Sequence, residues 1–75
     1  MDLNFKMAGK GEPVIILHGV FGMLDNWQIV AKKLSEKYWV ITLDLRNHGK
    51  SPHSDIFNYE VMTDDIVEFM EKHQI

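Results

Sequence analysis

The chain has 75 residues and a formal net charge of -3, with 45% hydrophobic residues and no cysteine. A chain of this length forms one domain at most and buries too little surface to be comfortably stable without help. The lack of cysteine excludes disulfides, a thiolate nucleophile and cysteine-based metal sites. Because acidic and basic residues are interspersed, the charge gives no footprint for nucleic acid or an anionic membrane.

The sequence shows no signal peptide and no membrane-spanning segment. The N-terminus lacks the apolar run and the small-residue cleavage site of a signal peptide. No apolar stretch approaches the roughly 20 residues that a membrane-spanning helix needs. We therefore expect a cytoplasmic protein with no membrane partner.

Two apolar runs predict strands on either side of a helix. Residues 14–17 are rich in β-branched side chains, which is typical of a strand covered on both faces, and residues 39–43 form a second strand. Between them, Asp25 is predicted to cap the helix, with Gln28 completing a capping box. Strand, helix and strand within about 30 residues make a βαβ unit with parallel strands.

Two further elements flank this unit. Residues 3–7 alternate between apolar and polar, which predicts a half-buried strand, and a last helix is predicted after a cap at Asn58. No third parallel strand follows that helix, so the strand at residues 14–17 is expected to have one unpaired edge. The apolar stripes predicted for the two helices are Trp27, Val30, Ala31, Leu34 and Tyr38 for the first, and Tyr59, Met62, Ile66, Phe69, Met70 and His73 for the second.

A turn with two glycines follows the strand at residues 14–17. It consists of His18, Gly19, Val20, Phe21 and Gly22. Ligand sites of α/β sheets lie at the carboxyl ends of parallel strands, and glycines there let backbone N–H groups point at a developing oxyanion. A βα turn that needs glycines for its shape alone is the alternative interpretation.

Two motifs in order give the chain a specific resemblance. Residues 13–22 followed by Asn26 and Trp27, and then residues 40–52, resemble the α/β-hydrolase family, in particular its small esterase-like members. Residues 59–69 match the family's next helix more weakly. The resemblance implies an α/β fold in which residues 1–75 form the N-terminal fragment of the hydrolase domain.

The resemblance also implies a sheet and a site. The partial, mostly parallel sheet would have three strands, ordered as residues 3–7, 39–43 and 14–17, with the first antiparallel to the others. The N–H of Val20 would be one oxyanion donor, and Phe21 would lie at the mouth of the acyl pocket. The residues implied to support the turn and the loop beside it are His18, Gly19, Gly22, Arg46, His48, Gly49 and Ser51. Gly49 is expected to take a backbone geometry that a side chain would oppose.

The family's nucleophile is missing from this chain. It lies in a Gly-x-Ser-x-Gly elbow, with the acid and the histidine of the triad after it, whereas Ser35, Ser51 and Ser54 lack the flanking glycines. We therefore assign no catalytic residue and expect the chain alone to be inactive. The complete enzyme would act on a small-molecule ester or acyl substrate, with a serine or aspartate nucleophile. A non-catalytic module that pairs through its open strand edge, with itself or another chain, and a truncated gene product without its own function remain as alternatives.

Three other sites carry weaker patterns. His18 as a general base is disfavoured, because the family uses it as a structural residue of the turn. The sequence from Gly49 to Ser51 resembles the end of a P-loop, but Asp44 stands where that motif requires glycine. His48, His53 and Asp55 lack a recognisable metal-ligand spacing. No metal and no cofactor are expected.

Overall fold

The computed structural model describes residues 1–75 and contains three strands and two α-helices, with a short 3-10 helix between them. The elements are β1 (Phe5–Ala8), β2 (Pro13–Leu17), the 3-10 helix (Leu24–Trp27), α1 (Gln28–Leu34), β3 (Trp39–Leu43) and α2 (Tyr59–Lys72). The sheet has the order β1-β3-β2, with β1 antiparallel and β2 parallel to β3. The predicted α/β class and strand order are confirmed.

β3 is the centre of the core. Its side chains alternate between the two faces of the sheet, and Ile41 and Leu43 are fully buried on the face that also meets Leu3 and Phe69 of α2. On the opposite face, the Gln28 side chain at the start of α1 donates a hydrogen bond to Thr42 Oγ1 at 3.0 Å. The two helices therefore cover opposite faces. Each fully buried Leu, Ile or Phe side chain contributes about 1.5–3 kcal/mol of transfer free energy.

β2 differs from its predicted environment. The expectation that it is covered on both faces is wrong, because its residues are only half-buried or exposed and Leu17 keeps 45% of its surface exposed. The reason is that β3, not β2, lies between two hydrogen-bonded neighbours. β2 is an edge strand, as the sequence predicted from the lack of a third parallel strand to pair with it.

The start of the first helix also differs from the prediction. Asp25 does not cap it, because it lies inside the 3-10 helix that precedes α1. Leu24 N–H is instead bound by the Asp44 carboxylate at 2.7 Å, and Met23 N–H by Asn26 Oδ1 at 2.8 Å. With these two N–H groups already bound by side chains, the chain begins to turn before Asp25. The Gln28 side chain therefore binds Thr42 of β3 and does not form the predicted capping box.

The start of α2 is partly as predicted. Asn58 caps it, with Oδ1 accepting the Val61 N–H at 2.8 Å. Phe69 faces the core, but Tyr59 is 87% exposed, so its predicted inward position is wrong. Tyr59 is the first helical residue and lies beyond the part of the helix that covers the sheet. No helix combines the length and apolar character needed to cross a bilayer, and the cytoplasmic location stays a prediction.

Candidate active site

The parallel pairing of β2 and β3 brings two segments together at the edge of the sheet formed by the carboxyl ends of these strands. Leu17 pairs in register with Leu43, so both strands reach their carboxyl ends together. Residues 18–22 leave β2 at this edge, and residues 44–51 leave β3 beside them. This edge is the ligand-binding edge of parallel α/β sheets. The structure thus brings together the two segments that carry the predicted site residues.

Residues 19–22 form a tight β-turn. Gly22 N–H donates to Gly19 O at 3.0 Å, which makes Val20 and Phe21 the central residues. Phe21 has φ +65°, the left-handed region that the third position of a type II turn requires and that glycine normally occupies. A side chain with this backbone costs about 1–3 kcal/mol. A Cβ at Gly22 would lie 3.0 Å from Gly19 O, so the second glycine allows the close approach.

The two central N–H groups of this turn have different partners. Phe21 N–H donates to His48 Nε2 at 3.2 Å. Val20 N–H has no acceptor within the chain. Val20 and Phe21 are 71% and 98% exposed, so the turn that carries the free donor lies at an open surface. Of these two groups, Val20 N–H is the one available to a ligand.

His18 is fully used by the fold. Its ring is buried, and Nε2 accepts the Leu45 N–H at 3.0 Å. Because Nε2 is an acceptor, the ring proton lies on Nδ1, which donates to Gly19 O at 2.7 Å. Neither nitrogen is left for an external proton. His18 therefore connects the turn to the loop that follows β3, and its geometry gives no support to a role as general base.

Asp44 is the hub between the two segments, and sequence reasoning did not identify it as such. Its buried carboxylate accepts hydrogen bonds from Asn4 Nδ2 at 2.8 Å, Leu24 N–H at 2.7 Å and Lys50 N–H at 2.9 Å. Burial pushes the pKa of Asp44 upward, but the bonds from Asn4, Leu24 and Lys50 together outweigh it and hold the pKa below its ordinary value. A carboxylate directly after a buried strand was the available sequence signal.

Two predicted loop residues pack directly around Asp44. Gly49 has φ +50°, as expected, and a Cβ there would overlap the Asp44 carboxyl group. The Ser51 hydroxyl is buried, donates to Asp44 O at 2.5 Å and accepts the Asn4 N–H at 2.8 Å. Gly49 allows the loop to pass close to Asp44, and Ser51 connects the loop to Asn4, the residue before β1. Ser51 Oγ is thus committed to backbone partners.

Arg46 connects the same loop to α2. Its Nε and Nη2 donate to the two carboxylate oxygens of Asp65 at 2.6 and 2.8 Å, and Nη1 donates to Ile56 O at 2.8 Å. The hydrogen bond to Asp65 raises the pKa of Arg46 above its ordinary value. Sequence reasoning interpreted Asp65 only as an acidic residue early in the helix. Its spacing of four residues from the inward-facing Phe69 was the signal that it points inward.

No catalytic nucleophile is assembled at this edge. Ser35 Oγ donates to Lys32 O at 2.7 Å, Ser54 Oγ accepts the Ile56 N–H at 3.2 Å, and no serine hydroxyl contacts a histidine. No group of three or more acidic or histidine side chains is placed to hold a metal ion. The arrangement can offer a backbone donor to a ligand, and its polar side chains serve to fix that donor.

Comparison with known proteins identifies the family. Residues 12–75 match the sequence profile described as alpha/beta hydrolase fold. The chain belongs to the α/β-hydrolase fold family. A solved structure titled marine microorganism esterase matches with a TM-score of 0.96 and 44% identity, over 99% of this chain and 29% of the esterase. The three-stranded sheet and its helices correspond to the N-terminal part of the fold.

Two curated relatives act on acyl groups according to their names. A probable alcohol acetyltransferase from Saccharomyces cerevisiae is 49% identical over 84% of this α/β-hydrolase chain and 19% of its own length. An sn-1-specific diacylglycerol lipase from Xenopus tropicalis is 41% identical over 100% of this chain and 25% of its own length. The chain therefore spans about a fifth to a quarter of the length of these relatives.

Proposed function

We propose that this chain supplies the oxyanion-stabilising turn of a hydrolase that acts on carboxylic esters or related acyl bonds. The observation that carries the proposal is the Val20 N–H, which has no acceptor in the chain and lies at the carboxyl edge of the parallel strands. The acyl chemistry in the names of the esterase, lipase and acetyltransferase relatives supports this substrate class.

The chemistry assigned to Val20 is electrostatic. When a nucleophile adds to an ester carbonyl, negative charge develops on the carbonyl oxygen, and a fixed N–H aimed at that oxygen stabilises the transition state. Loss of one such donor lowers kcat by about a hundredfold to a thousandfold. The exposed ring of Phe21 would offer an apolar surface beside the same oxygen. The nucleophile, the acid and the histidine of the triad would be supplied from outside residues 1–75.

A chain without a nucleophile should not turn over. We expect the pure 75-residue chain to release no p-nitrophenol from p-nitrophenyl acetate above the buffer rate. Val20 N–H could polarise the ester carbonyl, but no hydroxyl with an adjacent base is present to attack it. Turnover that persists through repeated purification, and that disappears in one of the variants Ser35→Ala, Ser51→Ala or Ser54→Ala, would overturn this expectation.

A chimera tests the oxyanion role directly. Residues 1–75 would replace the corresponding segment of the marine microorganism esterase, and Val20→Pro would be compared with Val20→Ala. Proline removes the N–H that has no partner within the chain, and Gly19 before it tolerates the backbone restriction that proline imposes. We expect Val20→Pro to lower kcat at least about a hundredfold with a smaller change in KM. A folded Val20→Pro chimera with the kcat of Val20→Ala would refute the proposal.

A second candidate function follows from the free edge of β2. This strand pairs only with β3, and its exposed Leu17 adds apolar surface to the unpaired backbone. Edge strands of this kind pair with further strands. A module that associates through β2, with a second copy or with another chain, is therefore the alternative to an enzymatic role.

A further inference from the structure

We propose that His48 is a positioning residue that selects the type II conformation of the turn at residues 19–22 and so sets the surroundings of the Val20 donor. The link to catalysis rests on the proposed function, whereas the conformational role of His48 does not. The argument starts from a conflict between the residue at the third position of this turn and the backbone that it adopts.

The sequence of the turn disfavours the observed conformation. Type I and type II turns share the same closing hydrogen bond, here from Gly22 N–H to Gly19 O. They differ by a flip of the central peptide, which changes φ of the third residue from about -90° to about +80°. Phe21 has φ +65°, although a phenylalanine avoids this region. An interaction outside the turn must therefore offset the preference for type I.

His48 provides that interaction. The flipped peptide includes the Phe21 N–H, which donates to His48 Nε2 at 3.2 Å. In a type I turn the same N–H would point away from His48, and Val20 C=O would turn towards it. The Val20 carbonyl oxygen and His48 Nε2, both hydrogen-bond acceptors, would then face each other. The hydrogen bond therefore exists only in the type II form.

The acceptor itself is held in place. His48 Nδ1 carries the ring proton, because Nε2 accepts, and donates to Arg46 O at 2.8 Å. The ring lies near those of His18 and Phe57, with centroid distances of 4.9 and 5.9 Å. Arg46 is in turn fixed to Asp65 on α2. His48 is thus held in place and is connected through the loop to α2.

His18 and His48 hold the turn at two atoms. His18 Nδ1–H binds Gly19 O, the acceptor that both turn types share, and His48 binds the N–H that only type II presents. The two rings therefore fix the turn together, and only the contact of His48 distinguishes the two turn types.

The flip matters to the donor because it reverses the neighbouring dipole. Val20 N–H is separated from the central peptide only by the Val20 Cα. In the type II form, the Phe21 N–H and the Val20 C=O have fixed directions, and a flip exchanges them and moves the Phe21 ring. Catalysis by backbone donors depends on dipoles that are aligned before the reaction. In a turn that samples both forms, the Val20 N–H would experience two different electric fields from the neighbouring peptide dipole.

The 75-residue chain itself can be used for the test by NMR. A strong nuclear Overhauser effect from Val20 Hα to Phe21 HN marks type II, and one from Val20 HN to Phe21 HN marks type I. Three variants are compared with the parent: His48→Phe keeps a ring without an acceptor, His48→Gln keeps an acceptor without the ring, and Phe21→Gly with His48→Phe removes the strain. In the parent, a scalar coupling across the hydrogen bond between Phe21 N and His48 Nε2 is expected.

We expect His48→Phe to raise the ratio of type I to type II about tenfold, as loss of one hydrogen bond predicts. His48→Gln and the double variant should keep the type II pattern. A type II pattern that survives in a folded His48→Phe chain would overturn the proposal. If the turn responds as expected while the Val20→Pro chimera keeps its kcat, the conformational role stands and the oxyanion function fails.

Discussion

Arg46 and Asp65 form a buried two-point ion pair, with Nε to Oδ2 at 2.6 Å and Nη2 to Oδ1 at 2.8 Å. The pair joins the loop after β3 to the second turn of α2, 19 residues further along the chain. Only 10% and 6% of the two side chains remain exposed. The loop that carries His48 and the helix that covers the core are therefore fixed to each other by one contact.

Removing one partner of this pair should destabilise the fold strongly. Asp65→Asn leaves the guanidinium without a counter-charge at a site from which water is largely excluded, and we expect the folding equilibrium constant to fall at least about a hundredfold. Urea unfolding followed by circular dichroism measures this change. Lys33→Ala removes one partner of an exposed pair with Glu36 and serves as the control, with an effect of less than about fivefold. Equal effects in the two variants would contradict the assigned importance of the buried pair.

Gly49 should be far less tolerant of a side chain than Gly19. Gly49→Ala places a Cβ against the Asp44 carboxyl group at φ +50°, whereas a Cβ at Gly19 has no neighbour within 4 Å. We expect Gly49→Ala to lower the free energy of unfolding by more than about 2 kcal/mol and Gly19→Ala by less than about 0.5 kcal/mol. Denaturant titration of both variants checks the difference. A Gly49→Ala chain as stable as Gly19→Ala would show that the loop can move away from Asp44.

The sheet could be predicted from sequence because its determinants are local or shared with a family. The β-branched run at residues 14–17 and the apolar run at residues 39–43 indicate strands by composition, and a short crossover makes them parallel. The motifs at residues 13–22 and 40–52 then placed the N-terminal strand antiparallel beside β3. These predictions needed no knowledge of individual side-chain contacts.

The contacts that fix the site could not be predicted in the same way. Asp44 binds Leu24 N–H across 20 residues of sequence, and no periodic pattern connects the two. The predicted cap at Asp25 is wrong at the same place, because the 3-10 helix already begins at Leu24, whose N–H Asp44 binds. The left-handed Phe21 runs against residue preference, because its stabilising acceptor, His48, lies 27 residues away. Local preference and long-range contacts disagree at this turn.

Asp44 should make stability depend on acid pH. Its pKa lies below the ordinary 3.8, so the folded state favours the carboxylate and the unfolded chain takes up the proton first. The stabilisation is therefore fully present above about pH 4 and is lost as the pH falls through the lowered value. Urea midpoints from pH 7 to pH 2 should decline less steeply in Asp44→Asn than in the parent. Asp25→Asn removes an exposed carboxylate and is the control. A parent curve and an Asp44→Asn curve with the same slope would contradict the prediction.

The free edge of β2 should govern self-association if the second candidate function holds. Leu17 is 45% exposed on this edge strand, so Leu17→Lys adds a charge there with little loss of packing. A lysine on an edge strand opposes strand pairing, because its ammonium group would have to be desolvated beside the incoming chain. We expect the dissociation constant of self-association, from sedimentation velocity over a concentration series, to rise at least about tenfold. Ile29→Lys changes an 89% exposed residue on α1 and should leave association unaltered. Association weakened equally by both variants would contradict a contact specific to the β2 edge, and a parent chain that stays monomeric throughout would refute pairing between copies.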